Sequence, residues 1–213
     1  RVLHLVVEFC YTDNLSIMQA KPNDDTARLM ANLRSASKAF KLRSLLDKVN
    51  QWSWRQVSRF PSLACALIDE GMKRDDIDEI ALQTVQLKAR AALLPETTDI
   101  GSGVISLTKP GLLFVLRTLE DTTSPLLLFH AIQRWVEFST EDCIGNTTYL
   151  REKSSREAFA RKCAMRFIKL SRISPGNLEE VMKNSGLFKS DDSLGSSLTP
   201  NNMLLDAGLQ FSQ

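Results

Sequence analysis

Apolar residues recur along this chain every three or four positions, in short runs parted by turn-forming residues. That is the pattern of amphipathic helices. Val2, Leu5, Val6 and Phe9 make the first stripe. It should end near Cys10 and Tyr11, because Thr12-Asp13-Asn14 is turn chemistry. Leu15-Ser16-Ile17 fits a very short strand, and Lys21-Pro22-Asn23 breaks the chain again. Asp24 or Asp25 can cap a second helix by accepting from its unpaired N–H groups, with Leu29, Leu33, Ala36 and Phe40 on its buried face. A third, shorter helix turns Leu42, Leu45, Leu46, Val49 and Trp52 inward, and Trp54, Val57 and Phe60 lead on to Pro61.

The same period continues beyond Pro61. Residues 62–71 read as a helix with Leu63, Ala64, Leu67 and Ile68 apolar, and Gly71 suits a left-handed C-terminal position. Residues 75–94 read as one longer helix with Ile77, Ile80, Ala81, Val85 and Leu87 in its core stripe, stopped by Pro95. Residues 95–106 form a loop made flexible by Gly101-Ser102-Gly103, and a soft boundary belongs there. Helices follow over 110–119 and from Ser124-Pro125, where serine caps and proline takes the first helical position. Leu128, Phe129, Ile132, Trp135 and Val136 line the latter. Residues 137–149 are polar, with a turn at Gly145-Asn146. Residues 157–170 return to helix with Phe159, Cys163, Ala164, Phe167 and Ile168 inward, and Ser174-Pro175 repeats the cap-and-proline start. From Ser190 the composition predicts poor order, with Met203-Leu204-Leu205 as the start of a further helix. The expected fold is therefore all-α, a set of stacked helical hairpins with at most a short remnant strand, whose apolar faces need one another for burial.

Composition narrows function mainly by exclusion. The 213 residues are 43% hydrophobic and 24% charged, as in an ordinary globular chain. With 27 basic and 25 acidic residues the net charge is +2, so nothing global draws the chain to nucleic acid or anionic lipid. Apolar runs such as 112–116 are too short to cross a bilayer, and no signal peptide is visible. The chain enters its first apolar turn directly after Arg1, which suggests that a preceding part of the fold is missing. Cys10, Cys65, Cys143 and Cys163 lack metal or redox spacing and read as buried free thiols of a reducing compartment, cytoplasm or nucleus.

Little material remains for catalysis. His4 and His130 have no partner nearby in sequence, and His130 reads as a structural histidine in an apolar segment. Gly101-Ser102-Gly103 lacks the remainder of a phosphate loop. Asp69-Glu70, Asp75-Asp76, Lys73-Arg74 and Arg161-Lys162 read as solvated helix surface. Trp52 and Trp54, two positions apart, face different sides of a helix; one can be core and the other exposed. An exposed tryptophan is a fair anchor for a protein partner, although core packing is its commoner fate. No catalytic residue, cofactor or metal ligand emerges.

The order of these segments resembles a BTB domain followed by a BACK domain. Phe9-Cys10-Tyr11-Thr12-Asp13-Asn14-Leu15 is similar to the BTB segment in which a helix ends in a Tyr-Thr turn before a short strand. Residues 29–46 are similar to the next two BTB helices, with Ala36, Phe40 and Leu42 at their joint. The run 124–136, Ser-Pro-Leu-Leu-Leu-Phe-His-Ala-Ile-Gln-Arg-Trp-Val, resembles the BACK helix carrying phenylalanine, alanine, arginine, tryptophan and valine. Residues 165–170 and 173–178 resemble its closing arginine–phenylalanine and serine–proline turn. The resemblance divides the chain into the C-terminal half of a BTB domain (1–52), a helical extension (53–94), a BACK domain (107–188) and a poorly ordered tail (189–213). The N-terminal half of a BTB domain, its sheet and the acidic cullin-contact motif have no counterpart here, and no kelch repeats follow.

Proteins of this kind are adaptors, so the resemblance implies a substrate adaptor of a cullin-type ubiquitin ligase. Its partners would be a cullin scaffold and a substrate protein, with homodimerisation of the full-length protein also implied. Tyr11 matches the turn tyrosine near the scaffold surface, and Leu63 and Leu67 fall on the helix that contributes scaffold contacts; internal packing explains the two leucines equally well. A BTB–BACK scaffold of transcription or cytoskeletal assembly that uses no cullin, and an unrelated all-helical binding module, are the other readings.

Overall fold

Val2–Thr12 forms helix α1, with Leu5, Val6 and Phe9 buried as the spacing predicts. It stops at Asp13, whose left-handed backbone lets its N–H bond to the Phe9 carbonyl at 2.8 Å. The computed structural model describes residues 1–137 and 147–184. They are mostly helical, with no strand among them, so the chain is all-α. The short strand expected at 15–17 is instead the entry to a 3₁₀ turn, Ser16–Gln19. Glu8 is the physical reason, since its carboxylate accepts from the Ser16 N–H (2.8 Å) and hydroxyl (3.1 Å) and occupies the donor that a strand would use.

Helix α2, Asp24–Ala39, is capped by Asn23, whose side chain accepts from the Thr26 N–H at 2.8 Å; Asp24 and Asp25 supply first-turn charge instead of the cap. Phe40 ends outside the core, 57% exposed. Helix α3, Arg43–Arg59, runs unbroken through residues 52 and 53, where the resemblance placed a module boundary. It buries Leu45, Val49, Trp52 and Val57. Helix α4, Leu63–Met72, is the centre of its unit: Leu63 through Ile68 have no solvent exposure. A helix apolar on all sides must be enclosed, and α2, α5 and α7 pack around α4.

The long helix expected over 75–94 is two. Asp75 takes a left-handed backbone, Asp78 caps α5 (Glu79–Leu87) through the N–H groups of Ile80 and Ala81, and α6 (Ala89–Leu93) restarts after Lys88. Ala81 and Val85 are buried, but Leu87, expected in the core, is 83% exposed. Gly71 lies inside α4; the left-handed glycine among the described residues is Gly103. The loop after Pro95 is pinned rather than free. Asp24 accepts from the Ser102 N–H at 3.0 Å, Arg28 donates to the Ser106 carbonyl at 2.6 Å, and Gly103 opens a 3₁₀ turn, Gly103–Ser106. A Cβ on Gly103 would come within 2.5 Å of the Leu93 carbonyl oxygen.

Helix α7, Lys109–Leu119, closes this unit with Leu112, Val115, Leu116 and Leu119 buried. The chain divides into two units, Arg1–Thr122 and Thr123–Gln213. The boundary therefore follows α7 and not the 95–106 loop, because α7 packs on α4 and α5.

The second unit holds α8 (Pro125–Glu137), α9 (Thr147–Phe167) and α10 (Pro175–Asn184). Pro125 begins α8 as the Ser-Pro pattern predicts, and α8 buries Leu128, Phe129, Ala131, Ile132, Trp135 and Val136. α8 packs on α9, which buries Ala160, Cys163, Ala164 and Phe167. The Trp135 and Phe159 rings lie 5.9 Å apart, and Arg156 stacks 4.9 Å from the indole centroid. The turn at Gly145-Asn146, Cys143, the tail from Ser190 and the helix start at Met203 lie outside the described residues.

Candidate interaction surface

Tyr11, Leu63 and Leu67 do not share a surface. Leu63 and Leu67 are fully buried on α4, so they pack the core and offer nothing to a partner while the unit is folded. Tyr11 is 87% exposed. It does not stand alone, because Leu3 (65%) and Val7 (46%) precede it at four-residue intervals on the same helix. Positions i, i+4 and i+8 lie along one side of a helix, so α1 carries an apolar stripe in solvent opposite its buried Leu5, Val6 and Phe9.

The stripe is held at its C-terminal end. Glu8 ties α1 to the following 3₁₀ turn. Lys48 of α3 pairs with the Asp13 carboxylate at 3.1 Å and sits 5.1 Å from the centre of the Phe9 ring. Thr12 donates its hydroxyl to the Glu8 carbonyl at 2.7 Å. These contacts fix the last turn of α1, so Tyr11 is displayed from anchored backbone. Cys10 shares this end and is exposed, against the expectation of a buried thiol.

Polar chemistry concentrates elsewhere, where α4 meets α7 and the loop before α5. Asp69, expected at the surface, is 1% exposed. One of its oxygens accepts from the Thr108 N–H (2.8 Å) and hydroxyl (2.6 Å) at the start of α7, and Lys73 lies 3.5 Å from the other. Gly111 makes the room, since a Cβ there would meet the Asp69 oxygen at 2.2 Å. Asp69 is thus a strut from one helix to the next. The sequence signal was a carboxylate directly continuing the apolar run 63–68, set against a Thr-x-Pro-Gly helix start.

Asp76 is the second polar centre. It pairs with Lys38 (2.5 Å) and Arg34 (3.3 Å) of α2 and accepts from the Ser35 hydroxyl at 3.1 Å. Burial alone would raise its carboxyl; the Lys38 hydrogen bond, the Arg34 charge and Ser35 outweigh burial and hold it below its usual value. Glu70 behaves alike: burial opposes ionisation, but hydrogen bonds from Lys73 (2.8 Å) and Asn32 (2.9 Å) pull it down. Arg74 in turn donates to Asn32. These charges bind α2 to α4 and to the loop, which is structural work.

The reactive candidates are inert or apart. Burial, with Asp24 and Asp69 adding to it, pushes the Cys65 thiol well above its usual value, and its Sγ lies 3.5 Å from the Ala92 carbonyl oxygen. Burial pushes Cys163 up to about 11. His130 is exposed rather than structural, edge-on to Phe129 at 5.7 Å. Among the described residues no group of three or more histidine, cysteine, aspartate or glutamate side chains is placed to hold a metal ion. No described helix is long and apolar enough to cross a membrane. No family model, no curated protein and no solved structure matches this chain.

Proposed function

We propose that this chain is a non-catalytic protein–protein adaptor whose α1 face docks a scaffold protein. In its finer form the reading is a substrate adaptor of a cullin-type ubiquitin ligase, acting in the cytoplasm or nucleus, as the BTB–BACK resemblance implies. The observation that carries the adaptor reading is the stripe Leu3, Val7, Tyr11 standing in solvent on a helix whose last turn is anchored. An apolar face of this kind is a common mark of a protein contact, and tyrosine is a frequent anchor. The cullin rests on the resemblance alone, through Tyr11.

The test is direct binding between the purified chain and purified cullin N-terminal domains. Tyr11→Ala combined with Leu3→Ser is expected to abolish complex formation with the circular dichroism melt unchanged. Wild-type chain that binds no cullin at all would remove the ligase reading. A cullin bound equally well by the double variant would remove α1 as its site.

A further inference from the structure

We propose that the outer face of α1 pairs with the same face of a second copy of this chain, the two helices crossing antiparallel about a two-fold axis at Val7. The pairing deepens the adaptor reading, and rests on it only for the consequence that it covers the docking face.

Charge sets α1 apart. Its exposed residues are Leu3, His4, Val7, Cys10, Tyr11 and Thr12, with no lysine, arginine, aspartate or glutamate among them. Every other described helix that has an exposed residue exposes at least one of those four types, in a chain that is 24% charged. The carboxylates nearby are engaged elsewhere: Glu8 is half-buried and bonded to Ser16, and Asp13, just past the helix, pairs with Lys48. Fixed charges help a surface choose a foreign partner. At a two-fold contact they oppose association, because a charge near the axis meets its own copy. An uncharged face is what that contact needs.

The stripe also survives reversal. Leu3 and Tyr11 stand four residues to either side of Val7, so an antiparallel copy sets each Leu3 against the other chain's Tyr11 and Val7 against itself. Val7, the smallest and least exposed of the three, lies at the crossing, where the helices come closest. Rows of residues four apart are the ridges that interdigitate at about −50° in the commonest class of helix contact. A parallel pair would bring like helix ends together, so the dipoles favour the antiparallel one. Three side chains from each copy cover well under the ~800 Å² per partner of a stable complex. The pair is therefore weak and reversible, with a dissociation constant on the order of 100 µM. It forms where the chain is concentrated, and a chain so paired has no free α1 face for a scaffold.

Sedimentation equilibrium of the intact chain, from about 1 µM to about 1 mM, tests the pair. Wild-type chain is expected to pass from monomer to dimer over that range. Val7→Lys, which sets a charge against its own copy, should raise the dissociation constant more than about tenfold with the circular dichroism melt unchanged. Orientation is read by cysteine cross-linking with copper phenanthroline in a Cys10→Ser, Cys143→Ser background, where the remaining thiols, Cys65 and Cys163, are buried. Leu3→Cys chains mixed with Tyr11→Cys chains should give a cross-linked dimer, and neither should cross-link alone. Both positions are exposed, so this pair of variants carries the test if Val7→Lys fails to fold. A chain that stays monomeric throughout, a dimer indifferent to Val7→Lys, or Tyr11→Cys chains that cross-link with themselves as readily as with Leu3→Cys overturns the proposal. A chain that pairs through α1 but binds no cullin loses only the ligase reading. One that binds a cullin through α1 and never pairs loses only this one.

Discussion

Helices α1 and α4 are built from similarly apolar stretches and end in opposite surroundings. α4 is covered on every side, from Leu63 to Ile68. α1 packs chiefly on α2, buries Leu5, Val6 and Phe9, and leaves Leu3, Val7 and Tyr11 in water. Apolar composition states how much surface a segment would hide; it does not state what hides it. α4 finds six other helical segments of its unit, the 3₁₀ turn Gly103–Ser106 among them. α1 packs on fewer, and its outer face lies in solvent.

The largest test of that contrast is at Leu67. Leu67→Ala removes packing atoms from a site with no exposed surface and is expected to destabilise the first unit by about 2–5 kcal/mol. Leu67→Glu, which buries a charge without a partner, should prevent folding altogether. Urea unfolding followed by circular dichroism gives the first value. A loss near that of an exposed position would mean that α4 is not enclosed as described.

Asp69 comes next. Its carboxylate accepts two hydrogen bonds from Thr108 and so joins α4 to the start of α7. Asp69→Ala leaves the Thr108 N–H without that acceptor, and the expected cost is about 1.5–3 kcal/mol, the range for hydrogen bonds to a charged group. Gly111→Ala should act in the same direction, because its Cβ would collide with that carboxylate. Equilibrium unfolding measures both. If Asp69→Ala were neutral, the carboxylate would be a surface group after all.

Asp69 also marks where the sequence stopped being legible. Helical periodicity exposes the local period of burial, and it located α1, α2, α4, α7 and α8 together with the Ser-Pro start of α8. It missed the break at Lys88, the continuity of α3 through Trp52 and the exposure of Phe40 and Leu87, each of which depends on what packs against the segment from elsewhere in the chain. Asp69-Glu70 looked like solvated surface because neighbouring side chains on a helix diverge. The partner that buries Asp69, Thr108, is 39 residues away. The candidate surface was half legible: Tyr11 stands exposed, whereas Leu63 and Leu67 sit on a helix that has no free face. That Trp52 and Trp54 point to different sides followed from their spacing; which of the two is exposed did not.

A smaller effect is expected on acidification. Asp76 and Glu70 have folded-state carboxyls below their usual values. Their contribution is therefore fully present above the ordinary carboxylate range of about 4, and is lost as pH falls through the lower folded values. The melting temperature should drop on that limb, and Asp76→Asn should flatten it by removing one of the two groups. Lys73, raised chiefly by its hydrogen bond to Glu70, works at the other end, where its contribution fades as pH climbs through its folded value. Thermal melts from acid to neutral pH read the first limb. Leu3→Ser, which removes no titratable group, should leave its shape unchanged; a change there would link α1 to the polar centres of α4 and break the contrast.

The smallest stability change is expected where the binding change is largest. Leu3→Ser and Val7→Ser remove apolar surface that is already wet, so each should move the unfolding free energy by no more than about 0.5 kcal/mol. The same two substitutions should raise solubility and reduce any concentration-dependent association seen by sedimentation, because they erase a continuous stripe rather than a scattered residue. Sedimentation and urea unfolding on one preparation separate the outcomes. A large loss of stability would mean that α1 closes over its own outer face in solution. Unchanged stability with unchanged association would leave the stripe as ordinary surface and remove α1 as the docking face.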